Sequence, residues 1–344
     1  MLLGIHPGPD FDPPTAAALL GVEPRDAERI LEDLLDSQLL LQHEAGRYAF
    51  HDLVRSFALS LWEESARNQK DTAVGKLLHY YLGVTNEACS MLFPGLRPTG
   101  YPPSAGAPGL PSFPDARAAR RWYDLLLQGI ELHRELDSVR RESIALYNIS
   151  SLHLWQGRST EAILAAERAA TLCRDVGEQE HERAALNDLA IAHLDRGEGT
   201  AAQKWLDRAL ALGENSAMPR NRAMSLALRA VLCQRRGRGE EATAHIGQAL
   251  ALVRPLGTAT WQCEVENIAG LVHRHAGDYA NVLRLHRSAY QRALNIGYRI
   301  GMAHGLHGLV SAETALGLQE PARENGLSAE ELFATMDIPR VILE

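Results

Sequence analysis

The sequence predicts an almost entirely α-helical protein in which a small helix-and-hairpin domain precedes a solenoid of paired helices. Three observations carry this reading. Gly157, Gly197, Gly237, Gly277 and Gly317 lie 40 residues apart, and self-similarity at a fixed period of that length marks a repeat array. Alanine and leucine dominate the 344 residues, 46% are hydrophobic and aromatics are only 6%, a composition suited to close-packed helices. A run rich in proline and glycine, "PGLRPTGYPPSAGAPGLPSFP", lacks periodicity and reads as a linker. Its bounds divide the chain into a first domain (1–93), the linker (94–116) and the array (117–344).

The first domain reads helix, helix, hairpin, helix, helix. "TAAALL" is a short helix, and "EPRDAERILEDLLDSQLL" carries Ile30, Leu31, Leu34 and Leu35 as one apolar stripe. "LLLQHEAGRYAF" gives two strands around a turn at Glu44 to Gly46. "HDLVRSFALSLWEE" then opens a helix with Asp52 in the first turn, where a carboxylate suits the helix dipole. Helices followed by a two-stranded wing make a winged helix. The helix before the wing sets Arg25 and Arg29 against Asp26, Glu28, Glu32, Asp33 and Asp36, a balance that phosphates would repel. This wing is therefore expected to pack on protein rather than read DNA.

In the array each glycine is expected to end the first helix of a pair in a left-handed cap. Five residues on stand Ala162, Ala202, Ala242, Val282 and Ala322, and twelve on stand Ala169, Ala209, Ala249, Ala289 and Ala329. Small residues there let the second helix approach its neighbour closely. "ALNDLAIAHLDRGEGTAAQKWLDRALAL" resembles a tetratricopeptide repeat, with Ala190, Gly197, Ala202 and Ala209 at the small-residue positions. That repeat has about 34 residues; the extra six are expected to lengthen the helices and the connections, as in "GENSAMPRNR". Five units follow a half repeat, "WYDLLLQGIELHRELD". The last, with Pro321 starting its second helix and Val310 at a small-residue position, suits a cap.

The first helices of such an array line its concave face. The register places Tyr147, Trp155, Asn187, Asp195, Arg235, Asn267, Arg274 and His307 there. An aromatic anchor with Asn and Arg beyond it suits an extended peptide, whose amides pair with Asn and carboxylates with Arg.

Other function classes find little support. A net charge of −8 speaks against a dedicated binder of nucleic acid or anionic membrane. No run approaches the roughly 18 apolar residues of a membrane span, and no export signal opens the chain; the expectation is a cytoplasmic protein. Cys89, Cys173, Cys233 and Cys263 form no C-x-x-C pair and read as buried free thiols. His153, His193 and His273 share one repeat position with Cys233. Successive units lie about 10 Å apart, too far for ligands that must sit about 2 Å from one metal ion, so these read as fillers between helices. Neither H-E-x-x-H nor a nucleophile with an adjacent base is present; no catalysis and no metal are expected.

"RYAFHDLVRSFA" resembles the MHD motif of signal-transducing (STAND, NB-ARC) ATPases, with Phe50, His51 and Asp52 in the motif positions. "LLGIHPGPDFDPPTAAALLGV" resembles the entry to the winged helix of AfsR/SARP-type regulators, in which a winged helix and tetratricopeptide repeats follow the nucleotide-binding module. The resemblance implies that His51 contacts the β-phosphate of ADP and locks the winged helix onto the nucleotide domain. An imidazole at a helix start is suited to a phosphate, while the residues alone also allow a plain helix cap. No P-loop G-x-x-x-x-G-K-[ST] occurs, so ADP or ATP is expected only with a separate nucleotide-binding domain. The resemblance implies a separated C-terminal half of such a regulator, binding a protein or peptide in its groove. A free-standing adaptor and an ADP-responsive switch working with a second chain are the other readings.

Overall fold

The computed structural model describes residues 2–6, 10–63, 113, 139–213, 219–336 and 343, with parts of 72–88. The half repeat and nearly all of the linker lie outside these residues. The described residues form two compact units, one up to Ser138 and one from Val139.

The first unit opens with a 3-10 turn (Leu2–Ile5), followed by α1 (Pro13–Leu20) and α2 (Pro24–Asp36). Asp12 caps α1 by accepting the Thr15 N–H at 2.9 Å, and prolines occupy its first turn, where no intrahelical donor is needed. Gly21 ends it at φ 71°. The stripe expected on α2 faces inward, with Leu31 fully buried. Strands β1 (Leu40–Glu44) and β2 (Arg47–Phe50) form an antiparallel hairpin pairing Leu40 with Phe50 and Gln42 with Tyr48. Phe11 adds a bridge by exchanging both backbone hydrogen bonds with Tyr48 at 2.9 Å. The Tyr48 hydroxyl donates to Glu32 and so ties hairpin to α2. Helix α3 (Asp52–Glu63) follows directly.

The second unit consists of five helix pairs. The first helices are α4 (Val139–Trp155), α6 (Gln179–Asp195), α8 (Pro219–Arg235), α10 (Ala259–His275) and α12 (Arg299–Ala315). Their partners are α5 (Ser159–Asp175), α7 (Gly199–Ala211), α9 (Gly239–Val253), α11 (Tyr279–Ile296) and α13 (Gln319–Met336). Every first helix has 17 residues, so the long period is spent on helices in each unit. A long connection appears only after α7. The result is a tetratricopeptide-type solenoid.

The periodic glycines do what the spacing predicts: Gly197 and Gly237 sit at φ 73° and 72°. At each of these caps the residue after the glycine donates back across the turn, Glu198 to the His193 carbonyl at 2.8 Å and Arg238 to that of Cys233 at 2.9 Å. A second series, Gly177, Gly257 and Gly297, also has positive φ and ends second helices. It lies half a unit from the first series, with Ala217 interrupting its 40-residue spacing. Ala169, Ala209, Ala249 and Ala289 are completely buried.

Two buried polar groups are built into the packing. The His286 ring projects from α11 into a gap left by Gly270 and Gly308; a Cβ at either glycine would come within 2.2 Å of it. Its Nδ1 meets Asn267 Oδ1 at 3.0 Å. Burial, then Arg274 and two neighbouring histidines, lower its pKa to about 3, so the ring is neutral. Between α4 and α6, buried Asp188 accepts the hydroxyls of Ser150 and Ser151 at 2.5 and 2.7 Å. Burial pushes its pKa to about 7 even though the serines hold it down.

These features set three expectations. Gly237→Ala meets no neighbour and should cost about 1 to 2 kcal/mol through left-handed strain alone. Gly308→Ala gains about 1 kcal/mol of helix propensity, yet overpacking against the wedged ring should exceed that by roughly 1 to 2 kcal/mol. Both are read as losses in melting temperature, and an unchanged or raised value for Gly308→Ala would overturn the wedge. Asp188 binds its proton more tightly folded than unfolded, so its contribution to stability is complete below about pH 4 and is lost as pH rises through about 7. The slope approaches 1.4 kcal/mol per pH unit inside that window. Asp188→Asn should remove this component, flattening the fall in melting temperature between pH 5 and 8 relative to wild type.

Candidate binding face of the repeat array

The first helices touch one another in succession, and each second helix lies against its own partner and the next first helix. One face of the unit is therefore a row of first helices. Because these helices have equal length and register, their last residues fall in line: Trp155, Asp195, Arg235 and His275.

The structure brings Asp195 and Arg235 together on one object, the backbone of Leu343. Asp195 Oδ1 accepts the Leu343 N–H at 2.7 Å. Arg235 donates from Nη2 to the Leu343 carbonyl at 2.8 Å and from Nη1 to the Leu194 carbonyl at 2.6 Å. The Leu343 side chain is only 5% exposed and joins the apolar cluster that includes Leu194, Val231 and Val272.

Trp155 stacks on His304 of α12, with centroids 5.8 Å apart and planes 24° from parallel; His304 in turn meets Phe333 of α13. The expected aromatic anchor is thus engaged with the fifth unit. Burial, with His307 adding to it, lowers the His304 pKa to about 4. Arg274 reaches Ser311 Oγ at 3.5 Å, so it and Arg235 have different partners. Tyr147 and His307 are half-buried on α4 and α12.

The asparagines require a correction. Asn187 and Asn267 are buried and do not offer amides to a ligand. Asn187 donates to the Asn221 carbonyl at 2.9 Å and accepts the Ser225 hydroxyl at 2.6 Å. Asn267 donates to the Gly301 carbonyl at 3.3 Å. Each links its first helix to the next, because at that depth an unpaired amide would be costly. Sequence reasoning also passed over Arg183, fully buried, which donates to the carbonyls of Ala209, Leu212 and Gly213 and so ends α7. An arginine among surface charges gives no sign of such burial in the sequence.

The histidine register has a local purpose. His193 Nδ1 lies 2.6 Å from Glu198, and His273 Nδ1 lies 3.1 Å from Asp278. Each ring clips the turn between its two helices. No group of His, Cys, Asp and Glu suited to a metal ion occurs among the described residues, and none of their helices is long and apolar enough to cross a membrane.

In the first unit, His51 and Asp52 stand exposed where β2 passes into α3. Leu53 and Phe57 follow one helical turn apart and are 76% and 64% exposed. Arg55 turns the other way and donates to the His6 carbonyl at 2.6 Å.

No family model matches the chain. It is 37% identical over 123 residues to the regulatory protein AfsR of Streptomyces griseus and 36% identical over 132 residues to AfsR of Streptomyces coelicolor. Each alignment covers 35% of this chain but only 12% and 13% of the relative. Among solved structures, a STAND protein with a tetratricopeptide repeat sensor from Pyrococcus horikoshii is 16% identical at a TM-score of 0.49, covering 98% of this chain and 50% of that one. BtubC from P. vanneervenii is 16% identical at a TM-score of 0.48, covering 63% of this chain and 91% of that one. Over about a third of its length, this chain is related in sequence to the AfsR regulatory proteins.

Proposed function

We propose that the chain is a non-enzymatic regulatory module that binds an extended protein or peptide segment along its row of first helices. The observation that carries this reading is the pairing of Asp195 and Arg235 with both backbone groups of a single residue. Side chains that satisfy a main-chain N–H and C=O recognise extended chain whatever its sequence, and the apolar seat beneath adds selectivity. Relationship to AfsR supports a regulatory setting. The first unit, read as a winged helix, serves protein rather than DNA contact, and the module works in the cytoplasm, in keeping with its relatives' regulatory role. A free-standing adaptor would use the same face without a regulatory partner.

A second reading rests on His51. Its exposed ring, beside exposed Leu53 and Phe57, suits docking on a separate nucleotide-binding domain, where the ring would meet the β-phosphate of ADP. The chain by itself offers one imidazole, worth about 1 kcal/mol against an association cost several times larger.

Two measurements test these readings. Linear peptides selected from a random display library on the wild-type chain should fail to bind after Arg235→Glu with Arg274→Glu, while circular dichroism stays unchanged. Recovery of the same peptides by the folded double variant would move binding to another face. Calorimetry with ADP on the isolated chain should show no binding tighter than about millimolar; micromolar affinity would put a nucleotide site inside this chain.

A further inference from the structure

We propose that Leu343 is an internal ligand of this binding face, holding the Asp195–Arg235 clamp until a partner segment displaces it. The inference rests on the reading that the row of first helices binds extended chain, and it adds how that site is regulated.

Three features support occupation in cis. The contacts join residues 148 and 108 positions apart in sequence, so no local turn or helix rule demands them. Both backbone groups of Leu343 are met by side chains at the same position of successive repeats. That is ligand-like pairing, unlike the ladder of a strand or the cap of a helix. The leucine side chain also fills a place in the cluster shared by α6, α8 and α10. With these contacts in place, nothing can use the same clamp and the same seat.

Two further features make the occupant displaceable. Leu343 is held at φ 78°, a left-handed conformation unfavourable for a branched side chain. A partner able to make the same three contacts without a left-handed leucine avoids that strain. Arg235 is held in addition by a contact that does not involve the occupant, the bond from its Nη1 to the Leu194 carbonyl, and both Asp195 and Arg235 keep exposed surface. The chemistry that fits is a peptide segment with an aliphatic residue of leucine size, its N–H turned to a carboxylate and its C=O to a guanidinium.

The test uses the full chain and a labelled synthetic peptide with the sequence of residues 337–344, followed by fluorescence anisotropy. An occupied seat lowers apparent affinity by the fraction of molecules that are free. Leu343→Asp, which cannot bury its carboxylate, should therefore bind the peptide at least tenfold more tightly than wild type. Adding Arg235→Glu should abolish that binding. Equal affinity of wild type and Leu343→Asp would overturn occupation in cis while leaving the binding face intact. Failure of both to bind would overturn the inference too, and the display selection above would then decide the face independently. Hydrogen exchange at the Leu343 amide needs no variant at that position. The amide should be protected at least tenfold in wild type and lose that protection in Asp195→Ala; exchange at the unstructured rate in wild type would overturn the proposal.

Discussion

Close approach of neighbouring helices is the constraint on which the repeat array depends, and buried alanine makes it possible. Ala169, Ala209, Ala249 and Ala289 stand at the same position of successive second helices with no exposed surface, as do Ala190 and Ala230 within the row of first helices. Apolar burial supplies the driving force, but the small side chain sets the distance. At that distance there is little room for larger groups except where glycine opens it, as Gly270 and Gly308 do for His286. Polar groups in so tight an interior must find partners, and Asn187, Asn267 and Asp188 bind backbone or side chains of the adjoining helices. The packing therefore selects its own polar network.

Equal helix length converts this packing into an aligned row of helix ends. With 17 residues in every first helix and a glycine cap at the same place, the last residue of each lands in one line. Chemistry in that line can then vary without disturbing the fold: aromatic in Trp155, anionic in Asp195, cationic in Arg235. An acid and a guanidinium on adjacent repeats meet the N–H and C=O of a single residue, Leu343. The histidines at the neighbouring register serve the turns instead, through Glu198 and Asp278. Two series of similar residues, one or two positions apart, thus have unrelated purposes.

The hairpin unit follows a different logic. Its interior is closed by Phe11, Leu31, Leu40 and Tyr48, with the Tyr48–Glu32 bond joining hairpin to helix. That arrangement consumes one side of α3, through Arg55 and Ala58. The other side carries Leu53 and Phe57 outward beside His51.

Periodicity carried the fold. A glycine every 40 residues and alanines at fixed offsets are repeated signals, and each reports a backbone or packing requirement that only a few residue types satisfy. The order of two helices, hairpin and third helix among the described residues of the first unit was legible from local signals of the same kind. The candidate face was legible in part. Register placed Asp195 and Arg235 correctly in one line because helical repeats propagate position. It could not separate them from Asn187 and Asn267, since depth in the interface depends on the angle at which neighbouring helices cross. Nor could it find Leu343, His304 or Phe333. The contacts of Leu343 and of Trp155 with His304 join segments more than 100 residues apart, and no local pattern encodes a meeting that exists only once the helices have stacked.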